Sequence, residues 1–162
     1  MRRHWSTFLF LATASAAALL LAACSSGPVR RVSEPSASIQ QLTVRADGSW
    51  SVDLRLQNYS SIPMRFEAIS LEMKLGDHEA GTLQGNAGIS IGPESADVVT
   101  LEHTPTSVAR IAIADALGRN AGIGYALEGT LKAAPEDRGE RSFDIEHTSG
   151  LNPVPGLPGV LR

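Results

Sequence analysis

Cysteine, runs of basic residues and closely spaced histidines are what this 162-residue chain has least of. A single cysteine excludes an internal disulfide, so stability in an oxidising compartment has to come from packing alone. Lys and Arg number 14 against 17 acidic residues, for a net charge of −3. Beyond Arg2-Arg3 the longest basic run is Arg30-Arg31, which leaves no patch for nucleic acid. His78, His103 and His147 are too far apart in sequence for a helix-borne or hairpin-borne zinc site. Asp77-His78-Glu79 reads as a solvated hairpin tip. The glycines from Gly118 to Gly124 come with neither a P-loop lysine nor dinucleotide-binding spacing, so no phosphate cradle, metal or cofactor is expected.

The one cysteine has a telling position. Arg2 and Arg3 form a cationic start, Trp5 to Leu21 is almost wholly apolar, and the run ends Leu21-Ala22-Ala23-Cys24, with small residues where a signal peptidase needs them. This resembles a bacterial lipobox. The resemblance implies acylation of the Cys24 thiol, cleavage after residue 23, and Cys24 as first residue of the mature protein. Two or three acyl chains, at about 0.8 kcal/mol per buried methylene, exceed the two signals needed for stable anchoring. Ser25 in place of an aspartate after the cysteine implies sorting to the outer membrane, facing the periplasm. The competing reading is an uncleaved anchor, because Trp5 to Ala23 approaches the roughly 20 apolar residues that span a bilayer. The alanine-rich segment directly before the cysteine favours the peptidase. Removing residues 1-23 leaves 12 basic against 17 acidic residues and enough chain for one domain.

Residues 24-38, with Gly27, Pro28, Pro35 and several serines, read as a flexible tether of about 20 Å r.m.s. reach, and the domain is expected from Ile39 to residue 149. Its periodicity is mostly two, the mark of half-buried strands. Leu42 and Val44 precede a turn at Ala46-Asp47-Gly48. Trp50, Val52, Leu54 and Leu56 then alternate with Ser51, Asp53 and Arg55. After the turn residues Asn58 to Pro63, apolar positions run Met64, Phe66 and then Ile69, Leu71, Met73, Leu75, a phase slip at Ala68 that a bulge would explain. Further strands are expected at Glu79 to Leu83, Asp97 to His103, Gly124 to Leu131 and Arg141 to His147, with Gly85 to Ser95 as a loop. Pro105 to Leu117 reads as the one helix, capped by Thr104 and stopped by Gly118. The Pro/Gly-rich tail, residues 150-162, is expected to be extended or disordered, with Leu151, Val154 and Leu157 able to lie on the domain. About seven short strands and one short helix describe an antiparallel β-sandwich of immunoglobulin or fibronectin-III type.

Gly88-Ile89-Ser90-Ile91-Gly92 fits the G-x-S-x-G nucleophile elbow, with Asp115 or Asp144 and His147 following in hydrolase order. An elbow needs a helix directly after the serine, and Pro93-Glu94-Ser95 stands there instead. The sequence therefore predicts no catalytic residue and no enzyme. Asn58-Tyr59-Ser60 matches a glycosylation sequon and reads as a turn.

From Ile39 to Gly150 the arrangement resembles the type-2 late embryogenesis abundant family, also called the water stress and hypersensitive response (WHy) domain. The carrying residues are Leu54-Arg55-Leu56-Gln57-Asn58, Ile62-Pro63, Ile69 to Gly76, Ala80-Gly81, and Tyr125-Ala126-Leu127-Glu128-Gly129-Thr130-Leu131. Tyr59 stands where the family often has a proline. The resemblance implies a folded sandwich tied to desiccation or stress tolerance, commonly borne by small bacterial lipoproteins. The expected function is thus a non-enzymatic envelope lipoprotein of stress protection, partnered by the membrane through its lipid anchor and by an envelope protein. Two alternatives stand beside it: an assembly module using strand edges or the Pro-rich tail, and a carrier of a lipid or other apolar ligand, suggested by Met64, Phe66, Met73 and Leu75.

Overall fold

A computed structural model describes residues 30–162. The lipobox, Cys24 and the first part of the expected tether lie outside the described residues. Eight strands and one helix follow in the order β1 (Ser36–Val44), β2 (Trp50–Asn58), β3 (Met64–Leu75), β4 (His78–Ile91), β5 (Ser95–His103), α1 (Ser107–Gly118), β6 (Ile123–Pro135), β7 (Arg141–Leu151) and β8 (Val160–Leu161). They form two four-stranded sheets, β5-β2-β1-β8 and β4-β3-β6-β7, in which every neighbouring pair is antiparallel. The expectation of a mainly β sandwich with one short helix holds.

Alternation dictates which face each strand buries. Trp50, Val52, Leu54 and Leu56 are at most 1% exposed, while Ser51, Asp53 and Arg55 point out of the sheet. On the facing sheet Met64, Phe66, Leu71, Met73, Leu75 and Leu127 close the same core. Each such side chain contributes roughly 1.5–3 kcal/mol when fully removed from water. The expected phase slip is a bulge: between Phe66 and Ile69, β3 carries one more residue than β6 does between Leu131 and Ala133.

Four expectations need correction. The domain starts before Ile39, because β1 begins at Ser36 and the Arg31 and Ser33 N–H groups already donate to Ser61 and Ser60 between β2 and β3. Gly85 to Ile91 is strand, not loop: the segment pairs with β3 out to Met64, and the glycines serve packing, since a Cβ on Gly85 would sit 2.5 Å from Leu101 Cδ2. The helix cap is Thr106, whose hydroxyl accepts the Ala109 N–H at 3.2 Å, two residues later than Thr104. The tail is built into the fold: Pro153 bridges to Leu161, Val160 and Leu161 pair with Thr43 and Leu42, and Leu161 is fully buried.

Candidate functional site

Strand register defines two poles about 30 Å apart, the span of the nine residues of β2. At one pole Asn58 faces Ser95, and Met64 faces both Ile91 and Pro135. At the other, Trp50 faces Val44 and His103, and Leu75 faces His78 and Tyr125. The helix packs at this second pole, where Thr106 N and Oγ1 bond to the carbonyls of Ala80 and Glu79.

The first pole receives the chain that leads into the domain. Arg31 N–H donates to Ser61 Oγ at 2.8 Å and Ser61 N–H returns to Arg31 O at 3.0 Å. The Arg31 guanidinium donates to Tyr59 O at 3.2 Å and meets Glu94 at 3.4 Å. Beneath this strap Asn58 is fully buried, its amide donating to Ile62 O, Ile91 O and Gly92 O at 2.9–3.1 Å while its oxygen accepts the Ser60 N–H at 2.9 Å. An amide so enclosed cannot meet a glycosyltransferase, so the sequon is a turn. Sequence reasoning saw Asn58 as a turn residue and missed that it joins the two sheets.

His103 does the corresponding work at the second pole. It is 6% exposed, lies 5.9 Å from the Trp50 ring, and contacts Ala80 O at 2.8 Å; a carbonyl only accepts, so Nε2 carries the proton. The histidines are not gathered: His103 is core, His78 is exposed at the β3–β4 turn, and His147 packs on Tyr125 at 5.8 Å. Among the described residues no group of His, Cys, Asp and Glu could hold a metal ion. Ser90 is an exposed residue of β4, and the chain continues through a turn into β5, so the elbow context is lacking here too. Met64, Phe66, Met73 and Leu75 fill the core at 0–1% exposure.

Two surface features stand out. Glu72, Glu128 and Glu146 lie directly opposite one another across β3, β6 and β7, all exposed. At the second pole α1 shows Val108 at 52% and Ile111 at 69% exposure above a groove of about 620 Å³ reaching Leu75, His78 and Ile123. Among the described residues two groups have altered acidity. Hydrogen bonds from the Ser49 hydroxyl and N–H hold the Asp47 carboxyl below its usual range in the β1–β2 turn. Burial pushes the Tyr125 phenol up, against the opposing effect of the Ile39 N–H that its oxygen accepts at 3.0 Å. No helix among the described residues is long and apolar enough to cross a membrane.

No protein-family model matches the chain, and no curated protein matches it. Among solved structures, a protein from Arabidopsis thaliana determined in solution is similar at a TM-score of 0.52 and 14% identity, over 80% of this chain and 87% of that one. A crystal structure of a protein from Archaeoglobus fulgidus overlaps 76% of this chain and 98% of its own at 12% identity and a TM-score of 0.42. At 14% identity the likeness to the Arabidopsis structure concerns the fold alone.

Proposed function

We propose that this chain is a lipid-anchored envelope protein of the late embryogenesis abundant type-2 (WHy) kind, non-enzymatic, held at the periplasmic face of the outer membrane through Cys24 and acting in protection against water stress. The observation that carries the reading is the strap at Arg31 to Ser33. Its bonds to Ser60 and Ser61 leave only residues 24-30 between the acylated terminus and the folded body. Seven residues reach about 25 Å when fully extended. That length is the upper limit on how far the domain can move from its anchor, and the sheet surface it offers the envelope is polar and carboxylate-rich, with Glu72, Glu128 and Glu146 side by side.

Intact-mass measurement on protein extracted from envelopes tests the anchor. The expected species begins at Cys24 and carries diacylglyceryl and acyl groups, and Cys24→Ser abolishes both the added mass and membrane retention. An unacylated wild-type chain removes the reading. Protection of a labile enzyme through drying or freezing tests the activity, and parity with albumin ends it.

The exposed Val108 and Ile111 favour a second reading, an envelope assembly module whose helix docks a protein. In-cell crosslinking that recovers one stoichiometric partner, lost on Ile111→Ser, would favour it over protection.

A further inference from the structure

The two flanks of the sandwich differ. On one, the Gly92–Glu94 turn joins β4 to β5 and the two strands pack side by side. On the other, β1 also approaches β7 but no turn joins them; β7 ends its sheet with no strand beyond it among the described residues, and a groove of about 760 Å³ lies between β7 and Glu34–Ser36 at the start of β1. Beside the groove, at Asp144 to Glu146, the outward N–H and C=O groups of this edge strand are a template for another strand. The β1 side of the groove is blunted: Pro35 has no N–H, and the Ile39 N–H is taken by Tyr125.

Charge selects the occupant. Glu34, Glu128, Asp144 and Glu146 line the groove, no lysine or arginine does, and none of the four forms an ion pair among the described residues. Lys74 pairs with Glu79 and Lys132 with Glu140, and Arg141, at the start of β7, does not line the groove. Glu128 faces Glu146 on one side and Glu72 on the other, and like charges directly opposed weaken a sheet. Cations laid beside β7 would relieve that repulsion. Alternation sets their spacing, because Asp144 and Glu146 point outward whereas Phe143 and Ile145 point to the core.

We propose that β7 accepts an extended segment of a partner protein as a fifth strand of the β4-β3-β6-β7 sheet, with lysine or arginine at alternate positions beside Asp144 and Glu146 and apolar residues between them beside Phe143 and Ile145. The inference is independent of the anchoring and of stress protection.

The full chain in detergent is titrated with a fluorescent ten-residue peptide alternating Lys and Val, read by anisotropy. Saturable binding that weakens with salt is expected. The Asp144→Asn/Glu146→Gln variant should bind up to about tenfold more weakly, as two exposed ion pairs allow, and the same peptide with every amide N-methylated should not bind. Absence of saturable binding overturns the proposal. Equal binding of the methylated peptide overturns it by showing a charged patch without strand addition. A variant that binds the peptide as wild type does but now self-associates overturns it too, because the carboxylates then only guard the edge against a second copy.

Discussion

Ser33 and Ser60 exchange two hydrogen bonds, the Ser33 N–H donating to Ser60 Oγ at 3.0 Å and the Ser60 hydroxyl donating back to Ser33 O at 3.3 Å. Ser60 is fully buried, so its hydroxyl has no solvent alternative. Ser60→Ala should cost about 1–2 kcal/mol, felt first by the strap. Hydrogen exchange at the Ser33 amide is expected to accelerate about tenfold, with a smaller change at Leu54 in the core. Equal acceleration at both positions would show that the strap and the sandwich open as one unit.

Asn58 and His103, at opposite poles, both bond to carbonyls of β4 or its flank, at Ile91 and Gly92 in one case and Ala80 in the other. Together they stitch the far edge of one sheet to the other sheet at both ends. Asn58→Ala orphans three carbonyls and the Ser60 N–H in a buried site and should cost about 3 kcal/mol or more in urea unfolding. His103→Ala should cost about 2–4 kcal/mol through the lost bond and the void beside Trp50. The His103 variant alone should alter the near-ultraviolet dichroism of Trp50, whose ring the histidine touches.

Gly129 has φ +149, and a Cβ there would lie 2.3 Å from Ser70 O and 3.1 Å from Leu71 Cα. Both obstacles are backbone of β3, so they cannot swing aside. Gly129→Ala must push β6 from β3 in the middle of the sheet, and a loss of about 3 kcal/mol or more is expected in thermal or urea unfolding. Gly76→Ala at the β3–β4 turn has open space around the new methyl and should cost less, because only its φ of +56 opposes the change.

Tyr125 gives the protein an alkaline limit. Its phenol is raised from 10.0 by burial, so above that value the unfolded chain gives up the proton while the folded one retains it. The unfolded state then binds fewer protons, and stability falls with rising pH; the contribution is whole below the unfolded value and is lost as the pH climbs through the folded one. Tyr125→Phe should be less stable near neutrality by about 1 kcal/mol, since the Ile39 N–H loses its acceptor. The same variant should show a shallower fall in urea midpoint between about pH 9 and pH 11. An unchanged slope would mean that the phenol ionises alike in both states.

Alternation made the inner strands readable. Trp50 to Leu56 is regular because one face meets the opposite sheet and the other meets water, and the slip at Ala68 marks a bulge for the same reason. Where partners far along the chain decide the structure, the pattern is silent. Gly85 to Ile91 alternates only weakly, through Ala87, Ile89 and Ile91, and its Gly85, Asn86 and Gly88 read as loop until pairing with β3 makes it strand. Val160 and Leu161 sit among proline and glycine and are recruited by Leu42 and Thr43. The sheet-joining roles of Asn58 and His103 were hidden because each needs a carbonyl that only the folded topology brings near. The glutamate row across β3, β6 and β7 was equally hidden, because register, and not sequence spacing, sets those residues side by side.

The strap also has a mechanical consequence. Tension transmitted through the residues preceding Arg31 is delivered to the N-terminal end of β1, whose ladder to β2 runs the length of the domain. A pull along that axis loads the rungs in shear, so they share the strain and must rupture together, whereas a pull across it would unzip them singly. The β1–β2 ladder therefore resists tension applied along its own strands better than tension applied across them.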